Sequence, residues 1–128
     1  MTARFDHEKL DVYRLLLELI RWVSQLLAEL QDEVKPQARE IRDHLGRAAL
    51  SSLLNMAEGN GKRQRRTRAK FFDDARGSST ECAACLDALV AIGSCDGRRV
   101  DDGKTMLVRI VSMLTKLIER FDDGSKKA

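Results

Sequence analysis

Residues 47–81 read RAALSSLLNMAEGNGKRQRRTRAKFFDDARGSSTE, and this stretch decides the fold. Its first part places small and apolar residues at helical spacing, which predicts a helix that packs closely against a neighbour. The letters EGNG at residues 58–61 are the strongest turn signal in the chain. Phe71, Phe72 and Ala75 then begin another apolar helix face. The stretch therefore predicts two helices that are joined by a short turn and packed on each other.

Two further helices flank this pair. Pro36 separates the first two helices, because proline is favoured in a first helical turn and restricts the residue before it. Gly59 and Gly61 are expected to end the second helix with left-handed backbone angles, and a polar loop from Gly93 to Gly103 precedes the fourth. We predict helices over residues 8–34, 37–58, 66–93 and 101–122. This pattern predicts an all-α, antiparallel up-down-up-down four-helix bundle that forms a single domain over residues 1–128.

The third helix has two interpretations. Ser78 and Glu81 have the spacing of a capping box, which would start a new helix there. The apolar positions from Phe71 to Ile92 keep helical spacing through this point. We therefore favour one continuous helix.

The first predicted helix is apolar over more than half of its circumference. A helix on the surface of a monomer needs an apolar arc of only about 100°. We therefore expect one side of this helix to pack inside its own domain and another side to pack against a second copy of the chain. The residues expected at that oligomer interface are Leu16, Leu19, Trp22, Val23 and Leu26.

The positive charge of the chain is concentrated in one short run. The formal net charge is +3, and six of the 23 lysines and arginines lie within residues 62–70. The other 17 are outnumbered by the 20 acidic residues, so the rest of the chain is mildly acidic. The run consists of Lys62, Arg63, Arg65, Arg66, Arg68 and Lys70.

Such a run favours binding to the phosphates of nucleic acid. No aromatic residue is interleaved within it, so we expect recognition of backbone and shape without base stacking. Two other interpretations remain open. The run is either a solvated helix start or a surface that docks an acidic protein partner.

Other polar motifs favour structural roles. Arg47, Asn55 and Glu58 share a helix face and are expected to form a polar network between helices. Cys82 and Cys85 form a single C-x-x-C motif on a helix without the second pair that a zinc site needs. We predict no catalytic residues, no cofactor and no metal site.

The cysteines and the hydropathy pattern indicate the compartment. Three cysteines form an odd set, which fits reduced thiols better than a secreted disulfide framework. Frequent charges and Pro36 interrupt every stretch that would otherwise be long enough to span a membrane. We expect a cytoplasmic protein with no membrane partner.

Several segments resemble a known family. Residues 45–61 (LGRAALSSLLNMAEGNG) resemble its signature "RAA-S-I-x-x-N-I-A-E-G-x-G". The residues that resemble the following "F-x-x-x-A-x-G-S-x-x-E" segment are Phe72, Ala75, Gly77, Ser78 and Glu81. The ends of the chain resemble the opening "L-x-V-Y" at residues 10–13 and the closing "M-L-x-x-L" at residues 113–117. On these motifs the chain resembles the four-helix-bundle proteins that include the 23S ribosomal RNA intervening-sequence proteins. The accessory variability determinant proteins of diversity-generating retroelements form a related branch.

The resemblance implies a four-helix bundle that assembles into a homopentameric barrel. In the retroelement branch it also implies a basic surface that binds nucleic acid and a reverse transcriptase. From the residues and the resemblance together, we expect a non-enzymatic oligomeric scaffold that binds RNA through residues 62–70. The alternative is a protein-interaction module that docks an acidic or reverse-transcriptase-like partner without binding nucleic acid itself.

Overall fold

The computed structural model describes residues 10–126, with side chains as far as Asp122. Four α-helices make up this part of the chain, and no strand occurs within it. The helices are α1 (Asp11–Glu29), α2 (Pro36–Asn60), α3 (Arg65–Ala91) and α4 (Gly97–Lys126). The all-α prediction and the count of four helices are confirmed for the described residues.

Most helix ends fall close to the sequence prediction. The helix α2 begins at Pro36, where the missing amide proton of proline costs no helical hydrogen bond. The start of the first helix at residue 8 lies outside the described residues, and α1 ends at Glu29 instead of residue 34. The helix α3 continues through Gly77 without a break, as favoured above.

The start of α4 was predicted too late. Asp96 Oδ1 accepts hydrogen bonds from the backbone amides of Arg98 (2.9 Å) and Arg99 (3.2 Å). An aspartate in this position satisfies amides that have no partner within the helix. The helix therefore begins at Gly97, and the loop predicted as Gly93 to Gly103 ends at Asp96.

The prediction of left-handed angles at Gly59 and Gly61 is wrong. Gly61 has a φ angle of −84°, and Gly59 lies inside α2. In the described part of the chain, a positive φ angle occurs at Gly93 instead, where it is 79°. Gly59 is needed for a different reason. A Cβ atom at this position would lie 2.9 Å from the Cβ atom of Phe71 and 3.1 Å from the ring of Phe72. The glycine allows α2 to approach α3 closely.

The helices form a four-membered arrangement in which α2 packs on α3, α3 packs on α4, and α1 packs on both α2 and α4. Among the described residues, the diagonal pairs α1–α3 and α2–α4 make no close backbone contact. The apolar core lies between the four helices. Its largest fully buried side chains include Phe72, Leu16, Leu19, Leu26, Leu45, Met56, Leu86, Leu89, Ile110 and Leu114.

A pair of serines lies inside this core at the contact between α2 and α3. Ser52 Oγ lies 2.5 Å from Ser79 Oγ and 3.0 Å from the carbonyl oxygen of Ala75, and both serines are fully buried. Beside them, Ser51 Oγ and Ser78 Oγ are 2.9 Å apart. Small hydroxyl side chains thus allow a close approach of the two helices while every buried hydroxyl of this pair has a partner.

The residues predicted for the oligomer interface lie elsewhere than expected. Leu16, Leu19, Val23 and Leu26 are 0–3% exposed in a single chain and belong to its own core. Trp22 is half-buried, and its ring packs where a Cβ atom of Gly103 in α4 would be. This placement corrects the interface prediction for the four buried side chains, because side chains that are 0–3% exposed offer almost no surface to a second copy.

None of the four helices that the structure describes combines the length and the apolar character that crossing a bilayer requires.

Candidate nucleic-acid interface

The six cations of residues 62–70, which we call the basic cluster, lie at one end of the bundle. They occupy the connection between α2 and α3 and the first two turns of α3. The end of α4 lies beside them, since the Arg65 guanidinium group donates a hydrogen bond to the carbonyl oxygen of Arg120. Three helices therefore meet at the basic cluster.

The start of α3 carries this charge without a side-chain cap. Gln64 adopts an extended conformation before the helix, and its side chain makes no capping hydrogen bond to the helix. Cations in a first helical turn are unfavourable because they face the positive end of the helix dipole. Helix stability therefore does not explain why arginines stand at these positions.

Arg65 and Arg68 contact the end of α4. Their guanidinium carbons lie 5.2 Å and 4.2 Å from the centre of the Phe121 ring, within the range of cation–π interactions. Arg68 Nη2 also donates to Asn60 Oδ1 at 3.0 Å. The Phe121 ring in turn lies 5.9 Å from the buried ring of Phe72. These two arginines therefore connect the ends of α2, α3 and α4.

Lys62 and Lys70 form exposed ion pairs within their own segments. Lys62 Nζ lies 3.1 Å from Glu58 Oε1, and Lys70 Nζ lies 3.2 Å from Asp74 Oδ2. Both ammonium groups also lie near the ring of Phe71, at 5.3 Å and 5.1 Å from its centre. These lysines therefore have partners that water and a ligand can reach.

Arg63 and Arg66 are exposed and make no ion pair or side-chain hydrogen bond with any residue that the structure describes. They lie on either side of the first residue of α3. The basic cluster therefore divides into three pairs. Two arginines contact the end of α4, two lysines flank an aromatic ring, and two arginines are available to an external anion.

The polar network predicted from Arg47, Asn55 and Glu58 does not form. Arg47 is exposed, Asn55 Nδ2 donates to the Ser51 carbonyl oxygen of its own helix at 3.0 Å, and Glu58 pairs with Lys62. These are separate local contacts of α2. A buried polar contact between α2 and α3 is made instead by their serines, whose side chains are short enough to fit in the close helix contact.

The two thiols of the C-x-x-C motif ionise less readily than an ordinary cysteine thiol, because their pKa values are raised. Burial raises the pKa of the Cys82 thiol to about 12 and also raises the pKa of the half-buried Cys85 thiol. Both thiols are free. Within the described part of the chain, no three ligating side chains are grouped closely enough to hold a metal ion.

Phe71 lies beside the basic cluster but is not among the site residues that the sequence predicts. The sequence pattern assigns Phe71 and Phe72 to one apolar face, although consecutive helical residues point about 100° apart. Phe72 is fully buried and Phe71 is half-buried beside the basic cluster. Asn60 and Phe121 contact Arg68 and are also part of the site. Only the packing of α3 against α2 and α4 reveals these contacts.

One protein-family model matches this sequence. The model described as 23S rRNA-intervening sequence protein matches residues 8–116, which is most of the chain. The chain belongs to this family. Comparison with curated proteins gave no significant match. The matched residues include the whole basic cluster, and membership in this family is compatible with a role related to nucleic acid.

Membership confirms the resemblance that residues 45–61 and 72–81 carry. The relation to the accessory proteins of retroelements stays a prediction. The family description itself refers to 23S ribosomal RNA.

Proposed function

We propose that the chain is a non-enzymatic, cytoplasmic RNA-binding subunit whose basic cluster contacts phosphate groups. The observation that carries this proposal is the pair Arg63 and Arg66, which are exposed at the charged end of the bundle without a partner among the described residues. Neutralising RNA phosphates would release counterions from the RNA, which favours binding. The reference to 23S ribosomal RNA in the family description supports RNA as the ligand.

The two lysines of the basic cluster can join this contact at small cost. Exposed ion pairs such as Lys62–Glu58 and Lys70–Asp74 contribute only about 0–1 kcal/mol. A phosphate group can therefore replace either carboxylate. Arg65 and Arg68 act mainly as supports that hold the end of α4 beside the binding surface.

We propose that each helix of the subunit runs antiparallel to the next. Contacts between helix ends support this order, because Arg99 near the start of α4 pairs with Glu29 at the end of α1 at 2.6 Å. Arg65 at the start of α3 likewise contacts Arg120 near the end of α4. Short connections between consecutive helices favour the same topology.

We further propose that the subunit forms a homo-oligomer, with the pentamer that the resemblance implies as the expected state. The contact surface is the α1–α2 face. Leu50 and Leu54 of α2 are 50% and 56% exposed. Beside Leu50 lies a shallow groove of about 180 Å³ that Ile20 and Leu27 of α1 help to line. Several copies would present several basic clusters, and RNA binding would gain from avidity.

The proposal is tested by titrating the purified wild-type protein into structured RNA at increasing salt concentration. We expect the logarithm of the binding constant to fall linearly with the logarithm of salt concentration. Absence of RNA binding at low salt would contradict the proposal. If the protein then retained an acidic partner, such as a reverse transcriptase, in a salt-sensitive manner, the protein-interaction module would be the correct function.

A further inference from the structure

Phe71 lies between two cations at the surface of the bundle. Lys62 Nζ and Lys70 Nζ are 5.3 Å and 5.1 Å from the centre of its ring. The ring is half-buried, in contrast to the neighbouring Phe72, which is 0% exposed and fills the core. Phe71 is therefore an aromatic side chain at the boundary of the charged surface.

The backbone of Phe71 is held firmly. Its Cβ atom lies 2.9 Å from the position that a Cβ atom of Gly59 would occupy, so α2 and α3 are in close contact at this point. Phe71 also lies in the second turn of a helix of 27 residues. A ring on such a support loses little freedom when a ligand stacks on it.

The surroundings of the ring match the needs of an unpaired base. Bases of single-stranded RNA stack on aromatic side chains while cations bind the adjacent phosphates. Both flanking lysines have exposed carboxylate partners, Glu58 and Asp74, which phosphates can replace because exposed ion pairs are weak. The lysines can then move from the ring to the phosphates and leave the ring to the base.

We propose that Phe71 is a stacking platform for one unpaired base of single-stranded RNA, with Lys62 and Lys70 binding the phosphates beside that base. This inference rests on the proposed RNA binding and adds the class of RNA that is preferred. It replaces the expectation that base stacking plays no part. That expectation considered only residues 62–70, whereas the ring follows the last lysine directly and the fold brings Lys62 to it.

The experiment compares wild type with Phe71→Leu and Phe71→Tyr. Leucine keeps an apolar side chain at the helix contact but removes the aromatic face, whereas tyrosine keeps that face. Each protein is titrated into a short single-stranded RNA that contains 2-aminopurine and into a blunt duplex RNA. Fluorescence of 2-aminopurine reports stacking directly, and thermal unfolding followed by circular dichroism checks that each variant is folded.

We expect the leucine variant to bind the single strand about fivefold or more weakly, since stacking on one aromatic side chain contributes at least this factor. Its binding to the duplex should not change, and it should lose the quenching of 2-aminopurine that wild type and the tyrosine variant produce. Wild-type quenching tests the inference even if the leucine variant does not fold.

Three results would overturn the inference. The first is unchanged binding of the single strand by folded Phe71→Leu, and the second is an equal loss for single strand and duplex. The third is absence of quenching by wild type. In each case salt-sensitive binding of duplex RNA would leave the proposed function intact. Absence of salt-sensitive binding to both RNAs would overturn the proposed function as well.

Discussion

Gly59 and Phe71 meet at a close contact between α2 and α3, and a Cβ atom on the glycine would lie 2.9 Å from the Cβ atom of the phenylalanine. We predict that Gly59→Ala destabilises the protein by about 1–3 kcal/mol, because the added methyl group forces the two helices apart. The loss should exceed the gain of up to about 1 kcal/mol that alanine brings to a helix interior. Urea denaturation measures the free energy of unfolding.

Gly77 provides the matched control for this prediction. It also lies within a helix, but it is exposed, and a Cβ atom there would meet nothing within 4 Å. Gly77→Ala should therefore raise the free energy of unfolding by about 0.5–1 kcal/mol. Equal effects of the two substitutions would show that the close contact at Gly59 does not constrain the fold.

The buried hydroxyls of Ser52 and Ser79, whose oxygens lie 2.5 Å apart, should be energetically coupled. We expect each single change to alanine to lower the free energy of unfolding by about 1 kcal/mol. The double variant should lose less than the sum of the single losses, because the hydrogen bond between the side chains is already absent after the first change. A double-mutant cycle by urea denaturation measures the difference, and strict additivity would contradict this account.

Cys82 should make stability fall at alkaline pH. Burial raises the pKa of its thiol to about 12 in the folded protein, from an ordinary value of 9.0. The thiol of the unfolded chain ionises first as pH rises, so the stability present below pH 9 is lost between the two pKa values. At about pH 10 the loss amounts to about 1.4 kcal/mol.

The measurement is the free energy of unfolding as a function of pH for wild type and Cys82→Ala. Other groups titrate in both proteins, so the difference between the two curves isolates the thiol. We expect the wild-type protein to lose stability more steeply than the alanine variant above pH 9. Parallel curves would show that the Cys82 thiol ionises equally in the folded and unfolded states.

Self-association should depend on the exposed leucines of α2. The double change Leu50→Glu and Leu54→Glu places two charges on the α1–α2 face, where burial against a second copy would require their costly desolvation. We expect the native mass to fall to that of a single chain while the helical circular dichroism is retained. Val108→Glu is the control, because Val108 is 70% exposed on a different helix, α4. Loss of assembly in the control instead would place the interface on α4.

The sequence was sufficient for the number of helices because Pro36 and the residues 58–61 interrupt clear apolar periodicities. It was less informative about the ends of helices. Asp96 caps α4, but an aspartate within a polar loop of glycines and charges is a weak local signal. The backbone angles at Gly59 were misjudged for a similar reason. A glycine needed for a close helix contact and a glycine needed for a turn look the same in a sequence.

The division of roles within the site could not be predicted, since it depends on how α3 and α4 pack. All six cations of the basic cluster are alike in the sequence, but Arg65 and Arg68 contact Phe121, whereas Arg63 and Arg66 have no side-chain partner among the described residues. The wide apolar surface of α1 likewise favoured the prediction that one side of this helix packs against a second copy of the chain. Most of that surface, including Leu16, is buried between α2 and α4 of the same chain.

The most direct test of RNA binding by the basic cluster is a comparison of two double charge reversals. Arg63→Glu with Arg66→Glu changes the exposed arginines of the cluster, and Arg39→Glu with Arg98→Glu makes the same change in net charge at the starts of α2 and α4. Binding of single-stranded RNA by each protein is measured over a range of salt concentrations.

We expect the first variant to bind single-stranded RNA more weakly than wild type. The slope of the logarithm of the binding constant against the logarithm of salt concentration should be less steep by about 1.4, as for two lost phosphate contacts. The second variant should keep the wild-type slope and nearly the wild-type affinity. Equal weakening by both variants would show that only the net charge matters. Unchanged binding by Arg63→Glu with Arg66→Glu would contradict the assignment of the basic cluster as the RNA-binding surface.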